Sequence, residues 1–544
     1  MSPDSMTGGQ MTAGPMTEGP MTPDRTLGWL VDGVADLPDK AAGLTVAGLV
    51  LDSRSVRPGD LYVALPGQRS HGAQFVDSAA DAGAVAVLTD RQGAGLAGDR
   101  LPVVVVDDVR TAMADLAARF HGRPSEQVTM FGITGTNGKT TTTFLLEAAL
   151  AAAGHAVGTI GTIGFRLAGV PLDIARTTVT TPESIDLQAT LARFVREGAD
   201  SVVMEVSSHA LALERVRAVA FGVAGFTNLG RDHLDFHPTL EDYFETKARL
   251  FEPERCRHAV VMTTDEHGRE LARRIRDRGA PHLTTVGAEP TDDVRILVNE
   301  PTSSGGTRIL LAGLAGPAPA DASPEREVVI DLPGAHNGRN AALALAMAAA
   351  AGVDPDTAAG GLAHAQVPGR MQRIALAPPR AGEQAAPTVF VDFAHTPQAI
   401  DEAARVGRQF ARTAIVVGAG GDRDRAKRPL MGQASARAAD LVVVTDDNPR
   451  TEDPASIRAA VIEGALLGSA QSGSDGTGPA EVVEVGDRAQ AIAHALAWAG
   501  ADDAVLVLGK GHEQGQLVGD RVVPFDDARE VEAAWAAIVS GGRA

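Results

Sequence analysis

The sequence predicts an α/β protein of several domains whose sheets are mostly parallel. Three observations carry this reading. The stretch Val128–Glu147 reads as a short buried strand, a tight glycine loop and an amphipathic helix opened by Lys139, the order in which α/β domains present a phosphate-binding loop. Beyond Val367, strand-like runs at Val389–Val391, Ala414–Val417, Leu441–Thr445, Glu481–Val485 and Ala504–Leu508 alternate with helical spacing, as in a largely parallel, doubly wound sheet. A chain of 544 residues, 44% of them hydrophobic, has room for about three to four domains of the usual size.

Taken in order, residues 1–24 repeat Met-Thr at Met6, Met11, Met16 and Met21. Rich in Gly, Pro and Thr, this stretch buries too little apolar surface to order itself and reads as a disordered tail. It also lacks the basic start and apolar centre of a signal peptide, and several of its methionines are candidates for alternative starts. Residues 25–126 read as a small α/β domain. Strands are expected at Leu61–Leu65, Ala84–Leu88 and Val103–Val106, with a glycine loop between the last two and a helix over Thr111–His121. Leu51–Asp60 is polar and turn-rich, and alone is any surface loop.

Residues 127–366 read as a central domain built on the phosphate loop. Gly135, Thr136, Asn137 and Gly138 form the loop, and Lys139, Thr140 and Thr141 open the helix. Glycines let backbone N–H groups approach phosphate oxygens, and the helix start adds partial positive charge. Lys139 is then placed for the terminal phosphates, and Thr140 offers a hydroxyl to Mg²⁺. Ile133 stands where the usual pattern has a glycine, with Gly132 one residue earlier, so an ordinary strand-to-helix turn is the competing reading. Downstream lie a hydroxyl cluster, Thr177–Pro182, and a buried strand, Ser201–Val206, that carries Glu205 towards the loop. A carboxylate there suits Mg²⁺; a strand-end salt bridge is the alternative. The strand Val223–Asn228 leads to Asp232, His233 and Asp235, and the helix Tyr243–Phe251 carries Lys247, which alone reads as a solvated surface charge. Asp331–Asn340 leads into a long alanine-rich helix, on which Asn337 and Asn340 share one side at i, i+3.

Residues 367–544 form the last unit. Its notable loops, Asp392–Pro397, Gly418–Asp424, Asp446–Arg450 and Gly509–Glu513, all follow strands. Ligands of open α/β sheets gather at that edge, so together the loops predict a substrate pocket. The balance of 49 basic against 69 acidic residues, net −20, disfavours a nucleic-acid grip but leaves room for a local basic pocket. One cysteine, Cys256, fits a reducing compartment. No apolar stretch is long enough for a membrane span. A soluble, cytoplasmic protein is expected.

Gly135-Thr-Asn-Gly-Lys-Thr-Thr141, Glu205-Val-Ser-Ser-His209, Thr227-Asn-Leu with Asp232-His-Leu-Asp235, Val367-Pro-Gly-Arg-Met371 and Asp392 with His395-Thr-Pro397 occur in the order of a known family. The chain resembles, from Leu51 to Glu513, the ATP-dependent Mur ligases of peptidoglycan synthesis. The resemblance implies three domains: a UDP-binding N-terminal domain, a central ATPase and a C-terminal, Rossmann-like ligase domain. Leu51, Ser53 and the Gln68 to Ser70 region would meet the uridine nucleotide of UDP-N-acetylmuramoyl-L-Ala-D-Glu, and Thr180, Thr181, Ser207 and Arg215 its muramoyl-dipeptide. ATP would be served by the loop with Asn337, Arg370, Asp392 and His395. Thr140, Glu205, His233 and a carbamylated Lys247 would be the Mg²⁺ ligands. Arg423, Asp447, Asn448, Pro449, Arg450, Gly509 and Glu513 would bind diaminopimelate, since Asp447-Asn-Pro-Arg450 is similar to the loop of the members that add it. A monomer is expected. Departures are Gln372, where an acidic residue is common, Ala419, where cysteine is expected, and Leu213, where a polar contact occurs in relatives.

The reaction so implied transfers the γ-phosphate of ATP to the D-glutamate side-chain carboxylate. An amine then attacks the acyl phosphate, and domain closure shields it from water. Rivals are the folylpolyglutamate synthetase branch, the D-alanyl-D-alanine-adding Mur ligase and a non-catalytic nucleotide-binding regulator. The first lacks the UDP-binding unit, the first two lack the Asp-Asn-Pro-Arg loop, and the last needs no metal set.

Overall fold

The computed structural model describes residues 25–37, 39–67, 70–174, 178, 180–234, 236–302, 305–314, 325–363, 365–377, 386–472 and 480–541. The N-terminal repeat, Gln68, Thr177 and Asp235 lie outside the described residues. The chain divides into two compact units, one up to Phe120 and one from His121 onward.

The first unit holds a four-stranded parallel sheet in the order β1 (Gly48–Val50), β2 (Asp60–Val63), β3 (Ala86–Thr89), β4 (Val103–Val105). β2 and β3 are buried along their whole length, which is why they read as continuous apolar runs rather than alternating ones. The expected helix forms at Val109–Phe120. Between β3 and β4 the expected glycine loop is instead a short helix, Arg91–Leu96, because the Asp90 side chain caps it by accepting from Gly93 N. Leu51 and Ser53 follow the C-terminal end of β1, with Ser53 in a 3₁₀ turn capped by Asp52.

The second unit carries two large sheets. The first contains β5 (Thr129–Thr134), β6 (Val157–Gly161), β7 (Gly164–Leu167), β8 (Val170–Leu172), β9 (Ser201–Glu205), β10 (Phe221–Phe226), β11 (Cys256–Met262), β12 (His282–Gly287), β13 (Val294–Pro301), β14 (Thr307–Ala312) and β15 (Arg326–Ile330). Their order is β15-β14-β13-β12-β11-β10-β5-β9-β6-β7-β8. The strands from β6 to β13 across the middle are parallel, and both margins are antiparallel. β5 lies between β9 and β10, so the loops after all three open at one edge. One face packs the helix Lys139–Ala152 against Ala335–Ala350 and Pro355–Leu362 in an alanine- and leucine-rich core. The other face buries Leu187, Leu191, Phe244, Leu271 and their neighbours.

The second sheet contains β16 (Gln372–Ile374), β17 (Thr388–Asp392), β18 (Thr413–Val417), β19 (Leu441–Val444), β20 (Glu481–Glu484) and β21 (Ala504–Leu508), in the order β16-β17-β21-β18-β19-β20. All five expected strands are present and parallel; the added β16 is an antiparallel edge. A hairpin, β22 (Gly515–Val518) with β23 (Arg521–Pro524), follows it.

Candidate functional site

The loops beyond both parallel sheets of the second unit line one cavity of about 890 Å³. At its floor, Gly138 takes φ +86°, and a Cβ there would collide with the Asn340 side chain; the loop therefore needs glycine. Asn137 N donates to Asn228 Oδ1 at 3.0 Å and Thr227 Oγ1 donates to Asn137 O at 2.6 Å, pinning the loop to the end of β10. Lys139 Nζ donates to the Gly135 and Thr136 carbonyls, both at 2.9 Å. It keeps part of its surface open to the cavity, yet loss of water pulls its ammonium below the usual lysine range. Thr141 is buried in the same wall.

Glu205 is 1% exposed and is held by hydroxyls and an amide rather than by a salt bridge. Thr140 Oγ1 donates to its Oε1 at 3.0 Å, and Thr162 reaches both oxygens, through its amide at 2.8 Å and its hydroxyl at 3.0 Å. The strand-end salt bridge is thus not what occupies Glu205. Lys247, far from being a solvated charge, is 1% exposed. Its Nζ donates to Gly135 O at 2.9 Å, the carbonyl that Lys139 also uses, and stands 4.5 Å from the Tyr243 ring centre. Burial, and then the charge of Lys139, hold it well below the ordinary lysine range. His233, at φ +54°, packs edge-on to His209, and burial pushes it down to about 3, so its ring is neutral. Among the described residues no three of His, Cys, Asp and Glu gather into a ready metal cluster. Mg²⁺ commonly takes only one or two carboxylates and completes its shell with phosphate and water. A hydroxyl, a carboxylate, a neutral imidazole and an amine able to become a carbamate fit that ion.

Asp232 joins this floor to the second sheet's loops: Lys427 Nζ lies 3.8 Å and His395 Nε2 3.7 Å from its carboxylate. Burial raises its pKa, but the His395 hydrogen bond and the charges of His233, His395 and Lys427 outweigh that and hold it well below the usual range. On this side Arg370 Nη2 donates to Thr140 Oγ1 at 3.2 Å, its guanidinium carbon 4.4 Å from the Phe393 ring centre. Asp392 accepts from Met371 N at 2.6 Å, and burial raises its carboxyl. Asn337 is 1% exposed; its Nδ2 donates to Pro333 O at 2.8 Å and its Oδ1 accepts from Asn340 at 3.4 Å. Gln372 Oε1 accepts from Gly369 N at 2.8 Å, a contact an acidic residue would also make.

Thr181 Oγ1 donates to Glu205 O at 2.9 Å and to Ser207 Oγ at 3.3 Å, while Thr180 Oγ1 lies 3.2 Å from Thr162 Oγ1. Arg215 pairs with Glu183 at 2.7 Å and donates to Thr181 O at 3.1 Å. Thr180, Thr181, Ser207 and Arg215 all line the cavity, and Leu213 does not.

At the opposite end stand Arg423, Asp447, Asn448, Arg450, Gly509 and Glu513. A Cβ at Gly509 would come within 2.6 Å of Asp447 Oδ2, so only glycine admits that approach. Arg450 takes φ +52°, and the hairpin holds it there: Arg450 N donates to Leu517 O at 3.0 Å and Gly519 N donates to Arg450 O at 2.8 Å. One guanidinium nitrogen donates to Gly421 O at 2.7 Å, so part of the side chain braces the neighbouring loop while the rest lines the cavity. Pro449 is buried behind the wall, and Ala419 lies in the core at 3% exposure. Sequence reasoning missed Thr162, Lys427 and Lys510; Lys510 lay inside a quoted loop, where a pocket-facing charge and a buried one look alike.

These features define a two-sheet phosphate-loop protein in which one cavity runs from the loop to a charged end lined by Arg423, Asp447, Arg450 and Glu513. Three family models match in order: "Mur ligase family, catalytic domain" over residues 45–121, "Mur ligase middle domain" over 133–348 and "Mur ligase, glutamate ligase domain" over 369–511. The UDP-N-acetylmuramoyl-L-alanyl-D-glutamate–2,6-diaminopimelate ligase of Corynebacterium glutamicum is 44% identical over 93% of this chain and 96% of its own. The Streptomyces coelicolor enzyme of the same name is 44% identical over 92% and 94%. A solved structure of a ligase so named, 30% identical, superposes with a TM-score of 0.63 over 92% of this chain and 97% of that one. The chain belongs to the Mur ligase family. Among the described residues no helix is long and apolar enough to cross a membrane.

Proposed function

We propose that this chain is an ATP-dependent amide ligase that adds diaminopimelate to the D-glutamate of UDP-N-acetylmuramoyl-L-Ala-D-Glu in peptidoglycan precursor synthesis. One observation carries the reading: the phosphate loop and the Asp447–Glu513 end share a single cavity, so a phosphorylated carboxylate and an incoming amine can meet inside it. The relatives' names support the substrates. The first unit, through Leu51 and Ser53, takes the uridine nucleotide, and the enzyme works as a cytoplasmic monomer.

Phosphoryl transfer concentrates charge on the γ-phosphate oxygens, and preorganised cations are the usual remedy. Lys139 supplies one at the loop and Arg370 a second from across the cavity. Thr140, Glu205, His233 and Lys247 would hold Mg²⁺, which would supply further charge neutralisation. Lys247 suits that role as a carbamate: a buried neutral amine adds to CO₂, forming an N–C bond and releasing one proton, and so ends in a carboxylate. The γ-phosphate passes to the D-glutamate carboxylate, with ADP as the leaving group. The diaminopimelate amine then attacks the acyl carbon, the C–O bond to phosphate breaks, the nitrogen gives up a proton, and an amide remains. Arg450 meets the far carboxylate of diaminopimelate, and Asp447 and Glu513 its neighbouring ammonium. Lysine lacks that carboxylate and leaves Arg450 unpaired, a mismatch that costs orders of magnitude in rate. Phosphate release with the UDP-dipeptide, ATP and a panel of diamino acids tests this. Diaminopimelate should exceed lysine by about a hundredfold or more in kcat/KM; comparable rates would overturn the assignment.

A further inference from the structure

Behind the Asp447–Glu513 end lies a cation that the reaction above does not use. Lys510 is wholly buried and sits behind the cavity wall. Its Nζ donates to Glu513 Oε2 at 2.8 Å and to Asn448 Oδ1 at 3.1 Å, and stands 3.8 Å from Asp447 Oδ1. Asn448 closes the ring, its Nδ2 donating to the same Glu513 oxygen at 2.8 Å. Asn448 Oδ1 also accepts from Leu517 N at 2.9 Å, which ties the ring to the hairpin that holds Arg450. The other cation beneath this end, Arg488, is committed elsewhere: its Nε and Nη2 each donate to Asp527 at 2.7 Å.

Two carboxylates facing one pocket repel each other, and unless something neutralises them they turn apart or take up a proton. A buried ammonium is stable only when paired and hydrogen-bonded, and here the two requirements meet. Lys510 bonds one oxygen of Glu513 and lies beside one of Asp447 from behind, while both carboxylate residues line the cavity. We propose that Lys510 is a positioning residue for the incoming amino acid: acting through Asp447, Asn448 and Glu513, it sets the site for the ligand's ammonium while Arg450 takes the carboxylate. This rests on reading that end as the diaminopimelate subsite.

The test uses the full chain with Lys510→Met and Lys510→Arg, varying diaminopimelate, ATP and UDP-dipeptide in turn. Lys510→Met should raise KM for diaminopimelate by about tenfold or more, leave KM for ATP within about twofold and narrow the preference over lysine. Lys510→Arg should recover much of the loss. An unchanged KM for diaminopimelate, or an equal rise for ATP, would overturn the proposal and leave Lys510 as filling for the core. Should Lys510→Met fail to fold, Lys510→Gln, which keeps a donor without the charge, carries the same comparison. The wild-type amino-acid panel separates the two readings: preference for another amino acid overturns the diaminopimelate assignment, while KM for that preferred amino acid still tests Lys510.

Discussion

At the scale of residues, the site is a set of charges placed where water cannot screen them. Lys139 and Lys247 donate to the same Gly135 carbonyl, so each amine feels the other at close range and the more deeply buried one is the poorer place for a charge. Burial and the neighbouring Lys139 ammonium hold Lys247 well below the usual lysine range, which favours the neutral amine that carbamate formation requires. Lys247→Ala should therefore lose activity by more than a hundredfold, with partial recovery on adding small carboxylates. Retention within about tenfold, a cost of only about 1.4 kcal/mol, would show that no carboxylate-ended side chain is needed there. Glu205 shows the complementary device: three hydrogen bonds from Thr140 and Thr162 fix its carboxylate without a counter-charge.

At the scale of elements, the β22–β23 hairpin holds the Asp447–Arg450 loop although it contributes little to the cavity wall. It accepts and donates on both sides of Arg450, whose left-handed backbone is uncommon for a residue other than glycine. The hairpin's own turn depends on Gly519 at φ +59°, where a β-branched residue is strongly disfavoured. Gly519→Val should thus raise KM for diaminopimelate several-fold while leaving KM for ATP unchanged, because the phosphate loop stands on β5 in the other sheet. Steady-state kinetics with each substrate varied decides it, and a parallel rise in both constants would show that the hairpin supports the fold generally.

At the scale of the whole molecule, stability depends on keeping two histidines neutral. Burial pushes His233 down to about 3 and His336 to about 4, against about 6.5 for a free imidazole. The unfolded chain therefore takes up protons first as pH falls, and stability rises with pH wherever it binds more of them. Stability from this source is complete above about pH 6.5 and is lost progressively as pH falls, down to about pH 4 for His336 and about pH 3 for His233. His336 alone accounts for on the order of 2 kcal/mol between neutrality and pH 5. Urea unfolding of wild type and His336→Gln at pH 7 and pH 5 measures it. The variant should lose less on acidification, and identical losses would remove His336 from the account.

The strand, loop and helix of the phosphate site were legible because they are local: a short apolar run, glycines and Gly138-Lys139-Thr140 lie within twenty residues. The five parallel strands of the last sheet were legible for the same reason, since strands buried on both faces become continuous apolar runs. Even the shared side of Asn337 and Asn340 follows from helical period alone. Local pattern did not decide which charges are buried. Lys247 reads as a surface lysine on an amphipathic helix, and only packing beneath Gly135 makes it a depressed amine. Lys510 and Thr162 gain their roles from partners 62 and 43 residues away. The short helix at Arg91–Leu96 and the hairpin were hidden likewise, the first behind two glycines that favour a loop and the second behind strands of only four residues. The sequence alone determined the elements and the motif residues at their ends. Tertiary structure decided which of those residues lose water and face one another, because desolvation and ion pairing depend on distances between segments that no local spacing contains.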